Sequence, residues 1–164
     1  MKTLEPKIIK MSRVQIMGYY YEANLREIEE GELCKKTLAK LKEHADFFNY
    51  KQGEHVYLVQ IYPMKENFNA FEDKFTQIIG YEVIEPSLIP EGAILHTLEE
   101  NSYVKYTHRG LESDLYKTYD FIYGTWIKEN GYVPIGYDAE LWDERYNPYD
   151  QNNEIDLFVA VKKQ

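Results

Sequence analysis

At 164 residues, with one cysteine and a formal charge of −9, the chain is sized for a single domain, residues 1–164, that needs neither disulfides nor a structural metal to hold its core. The acidity argues against a nucleic-acid phosphate partner, which needs a basic face to release counterions. Cys34 alone can form no internal disulfide, and neither an 18-residue apolar run nor a signal-peptide pattern is present, so a cytoplasmic chain outside the membrane is expected.

The first element is residues 7–22, KIIKMSRVQIMGYYYE, whose β-branched and aromatic residues predict a strand with a kink or bulge at Gly18. From about Glu32 the pattern turns helical: Cys34, Leu38, Leu41, Ala45 and Phe48 recur at spacings of four, three, four and three. Asn24 offers an earlier cap, but Gly31 would then lie inside the helix, so a break near Gly31 is preferred. The helix is expected to end near Asn49. Residues 55–63, HVYLVQIYP, form the clearest strand of this half, and residues 75–84, FTQIIGYEVI, the next.

EPSLIPEG, residues 85–92, reads as a connector between halves. The order then recurs. Residues 94–110 predict a strand, and Leu111, Leu115, Tyr119, Ile122 and Trp126 predict a helix that stops at Asn130–Gly131. Gly136 to Glu144 and Glu154 to Lys162 supply two final strands. Both halves therefore read β, α, β, β, which predicts an α+β domain.

Most catalytic constellations are missing from the sequence. His44, His55, His96 and His108 are scattered, with no HxH or HExxH pattern, so no metal site is expected. His108 is expected in an exposed strand-to-helix loop. Neither GxxxxGK[ST] nor GxGxxG is present, and no serine stands in a nucleophile-elbow context, so no nucleotide cofactor or standard hydrolase triad is indicated. What remains is Glu140. Strand alternation places Asp138, Glu140 and Trp142 on one face and Tyr137, Ala139 and Leu141 on the other. A carboxylate beside an indole suits a cationic aromatic ligand, although an acid on a strand is ordinarily a solvated surface residue.

The run YVKYTHRG, the helix containing YDFIYGTWIKENGY, the short strand AELW and the final EIDLFVAVKK together resemble the GyrI-like effector-binding domain, which also forms the C-terminus of certain AraC-type and MerR-type multidrug-sensing transcription regulators. The resemblance covers residues 102–162 well and residues 7–84 only through element order. It implies two pseudo-twofold βαββ units forming one curved antiparallel sheet, both helices on one face, and a central cleft for hydrophobic cations or other amphiphiles. It also implies a buried glutamate at Glu140, an aromatic at Trp142 and a cleft-facing aromatic at Phe158. Two departures concern cleft shape: Ala160 replaces the usual proline, and Trp142 the commoner tyrosine. With a first strand so close to Met1, the resemblance is to stand-alone members, which include drug-sequestering proteins and hydrolases of strained electrophiles.

The leading expectation is thus a non-enzymatic binder of cationic or amphiphilic aromatic molecules, with Glu140 and Trp142 at its centre. Phe158, Tyr106, Tyr119, Tyr20 and Tyr62 are its candidate walls, chosen by strand parity or family position. The alternatives are a hydrolase in which Glu140 activates water, and an interaction module for a protein partner or a second copy of the chain.

Overall fold

The structure, a computed structural model, describes residues 5–164. Its fold is α+β, with antiparallel pairing between the strands described below. Residue contacts divide the chain into two units, one comprising Arg13–Glu99 and the other joining the segment up to Ser12 to Glu100–Gln164.

Residues 7–22 form two strands where one was expected: β1 (Lys7–Met11) and β2 (Val14–Ala23). The exposed pair Ser12 and Arg13 breaks the run, so the interruption falls earlier than Gly18. Asn24 does cap a helix. Its side chain accepts from the Glu27 backbone at 2.8 Å, and the Glu27 carboxylate accepts from the Asn24 backbone at 3.1 Å, a reciprocal capping box. This helix, α1 (Leu25–Gly31), ends where Glu32 adopts a left-handed φ of 49°. The expected break is therefore present one residue after Gly31, and α2 (Leu33–Glu43) follows it. A 3₁₀ turn (Ala45–Phe47) then brings Phe48 into the core with Leu41.

Within the Arg13–Glu99 unit, β3 (Lys51–Ile61), β4 (Phe75–Val83) and β5 (Ile94–Leu98) complete a four-stranded arrangement in the order β3-β4-β2-β5. β5 pairs with β2, so residues 85–92 lie inside this unit and the boundary expected there falls after Glu99. Gly18 and Gly80 face each other across β2 and β4. A Cβ on Gly18 would stand 2.0 Å from the Ile79 carbonyl oxygen, so the close approach of the two strands depends on the missing side chain.

The other unit has the same plan. The expected strand at 94–110 is split at Glu99 and Glu100, and its second part, β6 (Asn101–Arg109), pairs with β1. After a 3₁₀ turn (Glu112–Asp114) comes α3 (Leu115–Phe121), which runs through a π-helical segment (Ile122–Trp126) into α4 (Ile127–Glu129). The π turn adds one residue, so the buried positions step by five from Ile122 to Ile127, and Trp126, expected in the apolar stripe, is only half-buried. β7 (Tyr132–Trp142) and β8 (Glu154–Lys163) finish the order β1-β6-β8-β7. Each unit thus contains βαββ plus one added strand. Among the described residues no helix is long and apolar enough to cross a membrane.

Candidate functional site

The site is built where β7 meets α3. Between Pro134 and Asp138 the β7–β8 register shifts, and Gly136 takes a φ of 104°, a conformation that suits glycine. Such irregularities re-aim the residues that follow them. Asp138, Glu140 and Trp142 then leave the strand on one face, as alternation requires, and all three are buried. Glu140 is only 3% exposed.

Two tyrosines of the helical rod meet these acids. The Tyr119 hydroxyl donates to Glu140 Oε2 at 2.6 Å, and the Tyr123 hydroxyl donates to Asp138 Oδ2 at 2.6 Å. The spacings match: two residues of strand advance about 7 Å and four of helix about 6 Å. The tyrosine rings lie stacked, with centroids 6.3 Å apart. Trp142 completes the shell, its Nε1–H donating to Glu140 Oε1 at 3.0 Å. On the outer side of the indole, Tyr146 stacks at 4.8 Å with an interplanar angle of 13°, and its hydroxyl donates to Glu112 Oε2 at 2.5 Å.

The electrostatics follow from this burial. Desolvation raises the Glu140 pKa from 4.5 to about 8; the hydrogen bonds from Tyr119 and Trp142 oppose the rise, and the charges of Glu112 and Asp138 add to it. Burial, with the charge of Asp138 next, likewise pushes the Tyr123 hydroxyl well above its ordinary range. Among the described residues, none of Glu140's hydrogen-bond partners is basic. The acids do not form a metal cage: no group of three or more His, Cys, Asp or Glu among the described residues is arranged to hold an ion.

Residues 4–162 match the family described as GyrI-like small molecule binding domain. The chain belongs to that family. The transcriptional regulator BrlR of Pseudomonas aeruginosa is 30% identical to it over 90 residues, a stretch covering 54% of this chain and 33% of BrlR, so the match takes in a third of that regulator's length. Among solved structures, SAV2435 bound to tetraphenylphosphonium is similar with a TM-score of 0.74 and 12% identity, over 96% of this chain and 94% of that one. The C-terminal domain of EcmrR is similar with a TM-score of 0.67 and 13% identity, over 99% and 100% of the two chains. At such identities the likeness is one of fold.

In this GyrI-like domain the structure brings together three of the residues singled out from the sequence, Glu140, Trp142 and Tyr119. Tyr106 shares the face, since β6, β8 and β7 align Tyr106, Leu157 and Glu140 in one row, and its ring meets Phe121 of α3 at 6.0 Å. Phe158 does not join them. It is paired with Lys105 and Ala139, which puts it on the opposite face, and the Lys105 ammonium lies 5.8 Å from its ring centroid. Tyr20 and Tyr62 belong to the Arg13–Glu99 unit. Tyr20 is 52% exposed, and Tyr62 packs with Phe68 and Phe75 at 5.6 and 5.3 Å.

Glu112, Asp138, Tyr123 and Tyr146 were not picked out as site residues. Asp138 and Tyr123 carried a readable signal, at i−2 from Glu140 on the strand and i+4 from Tyr119 on the helix. Glu112 and Tyr146 carried none, because a turn and a polar loop bring them together across 34 residues. His108, expected in an exposed loop, is instead buried near the end of β6, where its ring bonds Thr118 at 2.7 Å and the Leu111 carbonyl at 2.9 Å. It ties the strand to the start of the helix.

Proposed function

We propose that this domain binds cationic aromatic or amphiphilic small molecules, with Glu140 as the counter-charge and Trp142, Tyr119 and Tyr146 as the aromatic surround. One observation carries the reading: a fully buried carboxyl with no basic hydrogen-bond partner. Buried charges are ordinarily paired, because an isolated one costs too much desolvation, and a carboxyl left without a basic partner is complementary to a cation that arrives from outside. Tyrosine and tryptophan add ring faces that attract such a cation. The solved relative bound to tetraphenylphosphonium carries a ligand of this class, which supports the reading.

The test compares tetraphenylphosphonium with neutral triphenylphosphine oxide, by calorimetry on wild type and Glu140→Gln. The variant keeps shape and removes charge. It is expected to lose about tenfold or more in affinity for the cation and little for the neutral compound; equal losses for both would defeat the assignment. The hydrolase reading draws on the same Tyr119–Glu140 contact and predicts turnover of strained electrophiles that vanishes in Glu140→Gln.

A further inference from the structure

Three carboxyls of this unit are each held by a tyrosine hydroxyl: Glu112 by Tyr146 at 2.5 Å, Asp138 by Tyr123 at 2.6 Å and Glu140 by Tyr119 at 2.6 Å; Asp138 lies two residues before Glu140 on the same face of β7, and Tyr146 stacks on the indole that bonds Glu140. The rings pack in two stacks, Tyr119 on Tyr123 and Tyr146 on Trp142. Burial opposes ionisation of Glu140 first, and the charges of Glu112 and Asp138 add to that cost. Glu140, buried and without a basic hydrogen-bond partner among the described residues, is placed to hold a proton in spite of its two donors.

The donor chemistry shows where on Glu140 that proton sits. Trp142 Nε1 can only donate, so Oε1 is an acceptor in either state. The Tyr119 hydroxyl can donate or accept by rotating its hydrogen. It donates to Oε2 of the carboxylate and accepts from Oε2–H of the acid, so the contact survives both states and the proton belongs on Oε2. The neighbouring elements bring few other titratable groups to this face. β6 presents Tyr106 and His108 to this face, with His108 committed to Thr118 and Leu111. β8 presents Ile155, Leu157 and Val159, which cannot titrate. The helical rod presents Tyr119 and Tyr123, and its preceding turn Glu112.

We propose that burial, reinforced by the neighbouring carboxyls of Glu112 and Asp138, keeps Glu140 as the neutral acid before ligand arrives, so that each cation bound is exchanged for one proton released to solvent. The exchange balances: Oε2–H ionises, the proton passes to bulk water, and the ligand's positive charge takes its place beside the carboxylate. In the empty site the proton removes the cost of a bare buried carboxylate, and a cation must offset the release of that proton. This makes cation affinity rise with pH up to the point where Glu140 is ionised without ligand. The ligand half of this inference rests on the cation-binding reading; the proton half does not.

Two measurements separate those halves. The first uses no ligand: in a Trp126→Phe background, Trp142 fluorescence reports the ionisation of the carboxyl bonded to its Nε1–H. Wild type is expected to show a transition near pH 8 that is absent in Glu140→Gln. Glu112→Gln and Asp138→Asn each remove a neighbouring charge and are expected to move that transition to lower pH by half a unit or more, about threefold in the ionisation ratio, with Glu112→Gln the larger. Gln at 112 can still accept from Tyr146, so this variant keeps the structural tie, and it decides the matter even if Asp138→Asn fails to fold. An unmoved transition in Glu112→Gln overturns the proposal. The second measurement titrates tetraphenylphosphonium at pH 7 in phosphate and in Tris, whose different ionisation enthalpies reveal proton release. About 0.9 proton per cation is expected from wild type at pH 7, and about three-quarters or less from Glu112→Gln. Binding without proton release overturns the proposal; no binding at all, beside a shifted fluorescence transition, defeats only the ligand reading.

Discussion

Replacing Glu140 by glutamine should change how stability depends on pH, and the sign and size follow from burial. A carboxyl whose native pKa lies above its unfolded value contributes fully below the unfolded value and loses that contribution as pH rises through the native one. For Glu140 these values are 4.5 and about 8. Wild type is therefore penalised progressively from about pH 4.5 upward, and the penalty levels off above about pH 8. Each unit of difference is worth about 1.4 kcal/mol, so the span corresponds to on the order of 5 kcal/mol. Gln has the same shape, accepts from Trp142, donates to the Tyr119 oxygen and does not titrate. Urea unfolding of both proteins at a series of pH values from 5 to 9 isolates the effect, because every other group titrates in both. Stability of the variant minus that of wild type should climb by about 4 kcal/mol from pH 5 to 8.5. For a chain of this length that amounts to a shift on the order of 10 °C in melting temperature. A difference that stays flat with pH would mean that Glu140 is solvated in the native protein, and the argument from its burial would fail.

Other parts of the structure give shorter tests. Tyr119→Phe removes a donor that opposes the effect of burial on Glu140; the pH at which stability levels off should move to higher values in the same urea series, with a loss of about 1 kcal/mol. Gly80→Ala would place a Cβ 2.5 Å from the Met17 carbonyl oxygen and 2.9 Å from Ile16 Cγ2. Because the first obstacle is backbone, a destabilisation of more than about 2 kcal/mol is expected, read by thermal melting followed by circular dichroism. Asn24→Ala breaks the capping box of α1 at a cost of about 1 kcal/mol; since α1 buries no side chain, the loss should show as faster amide exchange within α1.

How much of this was legible in the sequence varies with the physical origin of each feature. The β, α, β, β order was readable twice because hydrophobic periodicity is local. The two breaks that give each unit its fourth strand were not, because Ser12–Arg13 and Glu99–Glu100 look like polar positions within a strand until the pairing of β1 with β6 and β5 with β2 is known. The shared face of Asp138, Glu140 and Trp142 followed from parity alone, and in the structure the two acids bond tyrosines of the helix while Trp142 bonds Glu140. Phe158 was chosen by family position, and the register with Lys105 and Ala139 sends it to the other face. The π turn has no periodic signature before it occurs. Its extra residue moves the apolar stripe from Trp126 to Ile127, a shift that four-and-three spacing cannot anticipate.

Pairing also explains why the site's chemistry belongs to one unit. Tyr19 stands five residues after Val14, the first residue of β2, which pairs with Leu98; Tyr106 stands five after Asn101, the first of β6, which pairs with Met11. The rows through these equivalent tyrosines read Tyr19, Ile79, Leu58 in one unit and Tyr106, Leu157, Glu140 in the other. Leu58 thus holds in the Arg13–Glu99 unit the strand position that Glu140 holds in its counterpart, and Val56 corresponds to Asp138. Two residues along, Gln60 accepts from Gln77 at 2.9 Å, where Trp142 donates to Glu140. A buried leucine adds to stability, whereas a buried carboxyl subtracts from it unless donors surround it. The acids are tolerable in the second unit because its helix supplies Tyr119 and Tyr123 at matching intervals. In the first unit the tyrosine bonded to the helical segment comes from the strand, Tyr19 to His44 at 2.9 Å. One architecture used twice therefore leaves one copy free to maximise apolar burial, while the other carries the energetic cost of buried carboxyls.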